Sequence, residues 1–164
     1  MDQQERRRVD GLARRKAVLW GLSALALPFA ARSQVRAEAP LVEVWKSPTC
    51  GCCKDWITHL EANGFRTRVH DTGNTAVRAR LGVDLKYGSC HTARVGGYAI
   101  EGHVPAADIE RLLKESPLAV GLAVPGMPVG SPGMDGPAYG GRREPYEVLL
   151  IAKDGSATVF QTHH

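Results

Sequence analysis

Three of the four cysteines lie within four residues, where the hydrophobic pattern changes from that of a strand to that of a helix. The run Leu41 to Trp45 alternates loosely between apolar and polar residues, and after Cys50-Gly-Cys52-Cys53 the apolar residues fall at helical spacing. A thiolate in the first turn of a helix is stabilised by unpaired backbone N–H groups and by the helix dipole. This stretch therefore predicts a strand-to-helix turn that presents reactive or metal-binding sulfur.

The rest of the chain predicts an α/β fold built around that turn. The expected elements are a second strand at 65–69, a helix capped by Asn74 or Thr75, a strand pair at 92–100, a helix after Pro105, a Gly/Pro loop over 121–142 and a hairpin of 146–152 with 157–161. This order, with Cys50 and Cys53 at Cys-X-X-Cys spacing, is typical of a thioredoxin-like sandwich. The predicted fold class is therefore α/β, a thioredoxin-like sandwich with an added Gly/Pro/Met loop and a C-terminal β-hairpin.

The fourth cysteine stands in the turn that such a fold places against the Cys-X-X-Cys motif. That turn, just before the third strand, reads Ser89-Cys90-His91. We therefore expect Cys90 and His91 to lie beside the first three cysteines. His103, which precedes the next helix, is a weaker candidate for the same site.

The first 37 residues predict a signal peptide. Six Lys/Arg residues fall between Arg6 and Lys16, and Ala17 to Ala31 carries no charge. A basic region followed by an apolar run this short matches a secretory signal better than a membrane span. We expect cleavage near residues 33–39, export by the Sec or the twin-arginine route, and one periplasmic domain over 40–164. An uncleaved N-terminal anchor is the alternative.

The charge distribution argues against nucleic-acid binding. The net charge is +4, but residues 1–39 hold eight basic and four acidic residues, while residues 40–164 hold thirteen of each. The basic character therefore belongs to the targeting segment. The remaining chain has no excess of cations with which to bind phosphate backbones.

Export also sets the redox context of the cysteines. In an oxidising compartment four cysteines would by default form two disulfides, with three possible connectivities. Cys52 adjoins Cys53, and a single glycine separates it from Cys50, so we expect a structural crosslink here to close only small, strained loops. The spacing favours thiolates that converge on one centre. Soft thiolates select Cu(I), Zn(II) or an iron–sulfur cluster, and a structural zinc site or disulfide knot stays open as the alternative.

The methionines favour copper over zinc. Apart from Met1, the chain has only Met127 and Met134, and both lie in the Gly/Pro loop, where methionine is not needed to fill a core. Thioethers are ligands for Cu(I) and poor ones for Zn(II). The alternative is that these side chains only pin the loop to the core.

The motifs KSPTCGCCKDW, GSCHTA, GYAIEGHVPAADI, GLAVPGMPVGSPGM and YEVLLIAKDGS resemble an exported metal-binding family that includes the copper-resistance protein CopG. The resemblance covers nearly all of residues 41–160. It implies a thioredoxin-like periplasmic protein that binds a multinuclear Cu(I) cluster and interconverts Cu(I) and Cu(II). Carried over by motif, the implied metal residues are Cys50, Cys52, Cys53, Cys90, His91, Met127 and Met134.

The leading hypothesis is thus a periplasmic copper-binding protein for copper resistance, with copper ions and other periplasmic copper-handling proteins as partners and membrane contact only during export. Whether it also acts as a copper oxidoreductase stays open at this point. Two alternatives remain. One is a thiol–disulfide oxidoreductase that uses Cys50 and Cys53; the other is a structural zinc-binding module.

Overall fold

The computed structural model describes residues 38–164. The predicted signal peptide, its cleavage site and the alternative N-terminal anchor lie outside these residues. The described elements are β1 (Leu41–Lys46), α1 (Gly51–Ala62), β2 (Arg66–His70), α2 (Thr75–Arg80), β3 (His91–Val95), β4 (Tyr98–Glu101), α3 (Ala106–Glu115), β5 (Gly121–Ala123), β6 (Tyr146–Ile151) and β7 (Ala157–His163). Within residues 38–164, none of the helices combines the length and the apolar character needed to cross a membrane.

All seven strands form one mixed sheet in the order β2-β1-β3-β4-β5-β6-β7. β1 pairs in parallel with β2 and antiparallel with β3, and β3 pairs antiparallel with β4. β5 joins β4 in parallel, and the hairpin of β6 and β7 extends the sheet antiparallel. The predicted α/β class and the predicted C-terminal hairpin are therefore confirmed.

The core packs the alternating face of β1 against the apolar faces of two helices. Val42 and Val44 are fully buried on β1, Trp56 and Leu60 on α1, and Ile109 on α3. Burial of side chains of this size stabilises the fold by roughly 1.5–3 kcal/mol each. Because β1 is paired on both edges, with β2 and β3, and α1 follows it directly, the turn that carries the cysteines is held from both sides.

One element was not expected. The predicted loop over 121–142 begins with the strand β5, which lies between β4 and β6. A Cβ at Gly121 would come within 1.8 Å of the Ala99 carbonyl oxygen, so only glycine allows this close pairing. A three-residue strand that begins with glycine has no period that sequence patterns could reveal.

The predicted cap of α2 lies at the expected position, but its side chain does not make the expected capping bond. Asn74 occupies the N-cap position, but its side chain makes no capping hydrogen bond. Its Nδ2 instead donates to the Ser89 carbonyl and to Thr92 Oγ1, each at 3.2 Å. The side-chain amide of Asn74 thus binds the segment around Cys90 instead of capping the helix.

Candidate metal centre

The cysteine turn lies between the end of β1 and the first turn of α1. Cys50 is the N-cap residue of α1, and Cys52 and Cys53 follow within its first turn. β1 and β3 pair antiparallel with Lys46 opposite His91, which brings the residue before β3 to the same end of the sheet. The sulfur atoms of all four cysteines therefore lie within 4.8 Å of one another. We call this group the four-sulfur group.

Two of the four sulfurs are joined in this structure. Cys50 and Cys53 form a disulfide, and Cys52 and Cys90 are free thiols. The expectation that a crosslink is disfavoured in this stretch is wrong for this pair, because a separation of three residues on a helix turn leaves the Cα atoms 5.4 Å apart, within the usual range. The free thiols remain close to the disulfide: Cys52 Sγ lies 3.6 Å from Cys50 Sγ, and Cys90 Sγ lies 3.5 Å from Cys53 Sγ.

Two histidines extend the site beyond Cys90. His91 Nδ1 lies 3.4 Å and His103 Nε2 3.2 Å from Cys90 Sγ, and both imidazoles are fully buried. Cys90, His91 and His103 thus form a second set of donor atoms within 4.8 Å of one another. We call it the Cys-His-His group. Cys90 is the residue that belongs to both groups.

The hydrogen bonding of each histidine leaves one of its ring nitrogens free to act as a metal ligand. His103 Nδ1 lies 2.8 Å from the Pro132 carbonyl, which can only accept, so Nδ1 carries the proton and Nε2 keeps a lone pair directed at Cys90. His91 Nδ1 faces Cys90 Sγ, while its Nε2 is buried and has no partner among the described residues. A buried polar atom without a partner is costly unless something binds it. Once the Cys50–Cys53 disulfide is reduced, the donor set is four cysteine sulfurs and two imidazoles, which fits soft and borderline transition metals.

Burial shifts the pKa values of Cys90, His91 and His103 in the direction that favours their neutral forms. It raises the pKa of the Cys90 thiol to about 12, and the neighbouring Cys52 adds to the rise. It lowers the pKa of His91 well below the usual value and also lowers that of His103. Without metal, the centre therefore holds a neutral thiol and neutral imidazoles at pH 7. Metal binding must displace the Cys90 proton.

We expect the metal-free protein to lose stability as the pH falls below about 6.5. The pKa of His91 is depressed from 6.5 in the fold, so its stabilising contribution is complete above 6.5 and declines toward the folded-state pKa. The limiting slope is about 1.4 kcal/mol per pH unit for each such histidine. Denaturant unfolding at pH 7.5 and pH 5 measures it. His91→Gln should flatten the dependence, and an equal slope in both proteins would contradict this assignment.

The two loop methionines differ in exposure. Met134 is 8% exposed, and the Tyr139 hydroxyl donates to its Sδ at 3.2 Å. The preceding Gly133 touches α1, since a Cβ there would lie 2.6 Å from the Cys52 carbonyl. Met127 is 50% exposed and lines a surface pocket together with Cys90. The loop thus sends one thioether into the protein beside α1 and leaves the other at the surface.

A buried network, which the sequence did not suggest, holds the Cys90 turn from behind. Glu101, fully buried, accepts from Ser89 N at 2.7 Å, Thr92 Oγ1 at 2.5 Å and Arg78 Nε at 2.8 Å. Arg78 Nη2 also donates to the Ser89 carbonyl at 2.6 Å. Burial raises the pKa of Glu101, and the hydrogen bonds from Thr92, Ser89 and Arg78 oppose that rise. Residues on both sides of Cys90 are therefore fixed by one buried ion pair.

Trp56 closes the site on the side of α1. Its ring lies 4.3 Å from that of His91, and its Nε1 donates to the Val104 carbonyl at 2.8 Å. Trp45, on β1, stacks on His70 instead. The imidazole of His91 is thus enclosed between an indole and the ring of His103.

One family model matches the part of the chain that includes Cys90 and the loop methionines. This model, described as "Protein of unknown function, DUF411", matches residues 87–134, which include Cys90, both histidines and both loop methionines. No curated protein matches the chain.

Two solved structures match most of the chain. One, titled "Copper resistance protein copG, Form 2", is 48% identical and superposes with a TM-score of 0.71, covering 77% of this chain and all of the other. The second, Form 1 of the same protein, is 49% identical, again with a TM-score of 0.71, and covers 77% of this chain and 98% of the other. This chain therefore belongs to the family of the copper resistance protein CopG.

Proposed function

We propose that this protein binds copper in the periplasm as part of copper resistance, holding Cu(I) in a multinuclear thiolate cluster. The observation that carries the proposal is the convergence of four sulfur atoms within 4.8 Å, with Cys90 shared by two buried imidazoles. Thiolates are the ligands that Cu(I) prefers. The copper resistance proteins of the same family support the choice of metal.

The number of donor atoms favours more than one metal ion. A structural zinc site takes four ligands in a tetrahedron and is then closed. Here the four-sulfur group alone would complete such a site and leave His91 and His103 with no role. With Cys90 as a bridging thiolate, both groups bind metal at once. Bridging also relieves the crowding of three sulfurs from adjacent positions in one helix turn.

The two groups suit the two oxidation states of copper. Soft thiolates favour Cu(I), and a set of two imidazoles and one thiolate also accepts Cu(II). The Cys50–Cys53 pair can supply the electrons: two Cu(II) ions each take one electron from the dithiol, which yields two Cu(I) ions, one disulfide and two protons. This step leaves Cys52 and Cys90 as the thiolate ligands of Cu(I) in the oxidised protein. We therefore propose that the protein interconverts Cu(I) and Cu(II) at this centre.

The same proposal includes a thioredoxin-like core. Its support is the strand order β2-β1-β3-β4, with β1 and β2 parallel and the cysteine turn between β1 and α1. The Cys90 turn lies where such a fold approaches its Cys-X-X-Cys motif. The signal-like N-terminal segment supports export to the periplasm.

Copper titration tests the proposal. The protein is reduced, loaded anaerobically with Cu(I), and analysed for bound copper and by X-ray absorption. We expect more than one copper per chain, sulfur as the main ligand and short copper–copper distances. A variant with all four cysteines changed to serine should bind almost none. Equal copper stoichiometry in this variant and the wild type would refute the proposal.

One observation favours a second candidate function. The Cys50–Cys53 disulfide has the spacing of a thiol–disulfide oxidoreductase, whose first cysteine attacks and whose second resolves. Cys90 opposes this use, because its thiol lies 3.5 Å from Cys53 and would compete for a mixed disulfide. Rapid insulin reduction without copper would support this second function. We expect little turnover.

A further inference from the structure

We propose that the surface pocket between the Met127 loop and the Cys90 turn is the entry port for Cu(I), with the Met127 thioether as outer ligand and the Cys90 sulfur as inner acceptor. This inference rests on the proposed copper function and assigns Met127 a role different from that of a resident ligand. The pocket has a volume of about 390 Å³, and Met127 and Cys90 are among the residues that line it. Cys90 is the only one of the four cysteines that does so.

The loop that carries Met127 is fixed to the Cys90 turn. The Ser89 hydroxyl donates to the Gly126 carbonyl, and Gly126 N donates to the Gly88 carbonyl at 3.1 Å. These two bonds attach the residue before Met127 to the residues before Cys90. These bonds therefore keep Met127 at the same pocket as Cys90, although half of the Met127 surface is exposed.

Exposure separates the roles of the two thioethers. An unbranched apolar side chain such as methionine gains by burial, and Met134 is 8% exposed. Met127 keeps 50% of its surface exposed, and Leu85, which lines the same pocket, is 77% exposed. A thioether in this position can meet a copper complex from solution, which a buried one cannot. It is a soft ligand, yet weaker than a thiolate, and so it can release Cu(I) inward.

The charge on the pocket wall does not repel the metal. Arg78 lines the pocket, but its guanidinium is paired with the buried carboxylate of Glu101 at 2.8 Å. The pair contributes no net charge to the wall. A Cu(I) ion can therefore pass from Met127 to Cys90 without approaching an uncompensated cation.

The transfer is a ligand exchange without a redox step. Cu(I) leaves its carrier as the Met127 sulfur binds, and the Cys90 sulfur then replaces Met127. The Cys90 S–H bond breaks, its proton goes to water, and copper remains Cu(I) throughout. Because Met127 holds the ion only in passing, it should change the rate of loading and of release equally and leave the equilibrium affinity unchanged.

Stopped-flow loading tests this role. Reduced protein is mixed anaerobically with the bicinchoninate complex of Cu(I), and the loss of the complex is followed by its colour. Met127→Leu should slow loading by about 10-fold, which corresponds to a barrier higher by about 1.4 kcal/mol. Removal of bound copper by a strong chelator should slow by the same factor. The copper stoichiometry and the affinity should stay at wild-type values.

Leu118, which is 87% exposed and is not among the residues that line the pocket, supplies the negative control, and Leu118→Ala should load at the wild-type rate. Leu85, which lines the pocket and has no sulfur, supplies the test of rescue. Adding Leu85→Met to Met127→Leu returns a thioether to the pocket and should restore part of the lost rate. The port is overturned if Met127→Leu loads as fast as wild type, if the affinity falls by the same factor as the rate, or if the Leu85→Met addition restores nothing. If the wild-type protein took up no Cu(I), the proposed function would fail together with the port. If the wild-type protein loads and only the variants give the contrary results, the port alone fails.

Discussion

Cys90→Ser is expected to lower the affinity for Cu(I) by about 100-fold or more, and to reduce the number of copper ions bound. Cys90 is the residue that the four-sulfur group and the Cys-His-His group share. Its loss therefore breaks both groups, and a serine hydroxyl is a hard donor that does not replace a thiolate for Cu(I). Competition with a Cu(I) chelator under anaerobic conditions measures the change.

Cys52→Ser is the matched comparison for this prediction. Cys52 belongs to the four-sulfur group alone, so its replacement leaves Cys90, His91 and His103 in place. We expect a smaller loss of affinity and residual copper with nitrogen ligands in X-ray absorption. If the two variants lose affinity equally, Cys90 is not the bridge between the groups. Denaturant unfolding of both variants separates a metal effect from a folding defect.

Glu101→Gln is expected to lower the free energy of unfolding by about 3 kcal/mol or more. Glu101 has no exposed surface, and its removal leaves the Arg78 guanidinium buried without a compensating charge. The amide also cannot accept all the hydrogen bonds that Ser89, Thr92 and Arg78 donate to the carboxylate. Because these bonds fix the residues on both sides of Cys90, the affinity for Cu(I) should also fall by about 10-fold.

Two further variants separate these causes. Glu115→Gln removes an exposed ion pair with Arg111 on α3, and we expect it to cost less than about 0.5 kcal/mol. An Arg78→Met, Glu101→Leu double variant removes both buried charges and should recover part of the stability lost in Glu101→Gln. It should not recover copper affinity, because the hydrogen bonds to the Cys90 turn are still missing. If Glu101→Gln were as stable as wild type, the Arg78–Glu101 ion pair would not be what holds the Cys90 turn.

Local patterns predicted most of the elements of this fold. β1 and α1 have clear alternating and helical periods, and the hairpin of β6 and β7 has a turn sequence, Lys153-Asp154-Gly155-Ser156, of the type that joins strands. β5 was missed because its three residues pair only through the backbone between two other strands. Its formation depends on the close approach that Gly121 allows, which is a tertiary property.

The candidate site shows the same division. Cys50, Cys52 and Cys53 stand together in the sequence, and the expectation of a thioredoxin-like order of elements led to Cys90 and His91. His103 was a weak candidate because it precedes a helix like many other polar residues, yet its Nε2 lies 3.2 Å from Cys90. Nothing in the sequence identified Glu101, since an acidic residue at the end of a strand is usually solvated. Its burial follows from Arg78, which belongs to a different element.

The sequence by itself determined a strand-to-helix turn with three cysteines, a mixed α/β order and a set of soft donors suited to Cu(I), because these features depend on residue type and on short-range spacing. Only the tertiary structure decided that Cys90 lies in both donor groups, that Cys50 and Cys53 are joined, and that Met127 and Met134 have different exposures. These features depend on strand pairing and burial between segments far apart in the chain. The cysteine turn is therefore a local feature, while the complete candidate metal centre depends on the packing of the sheet.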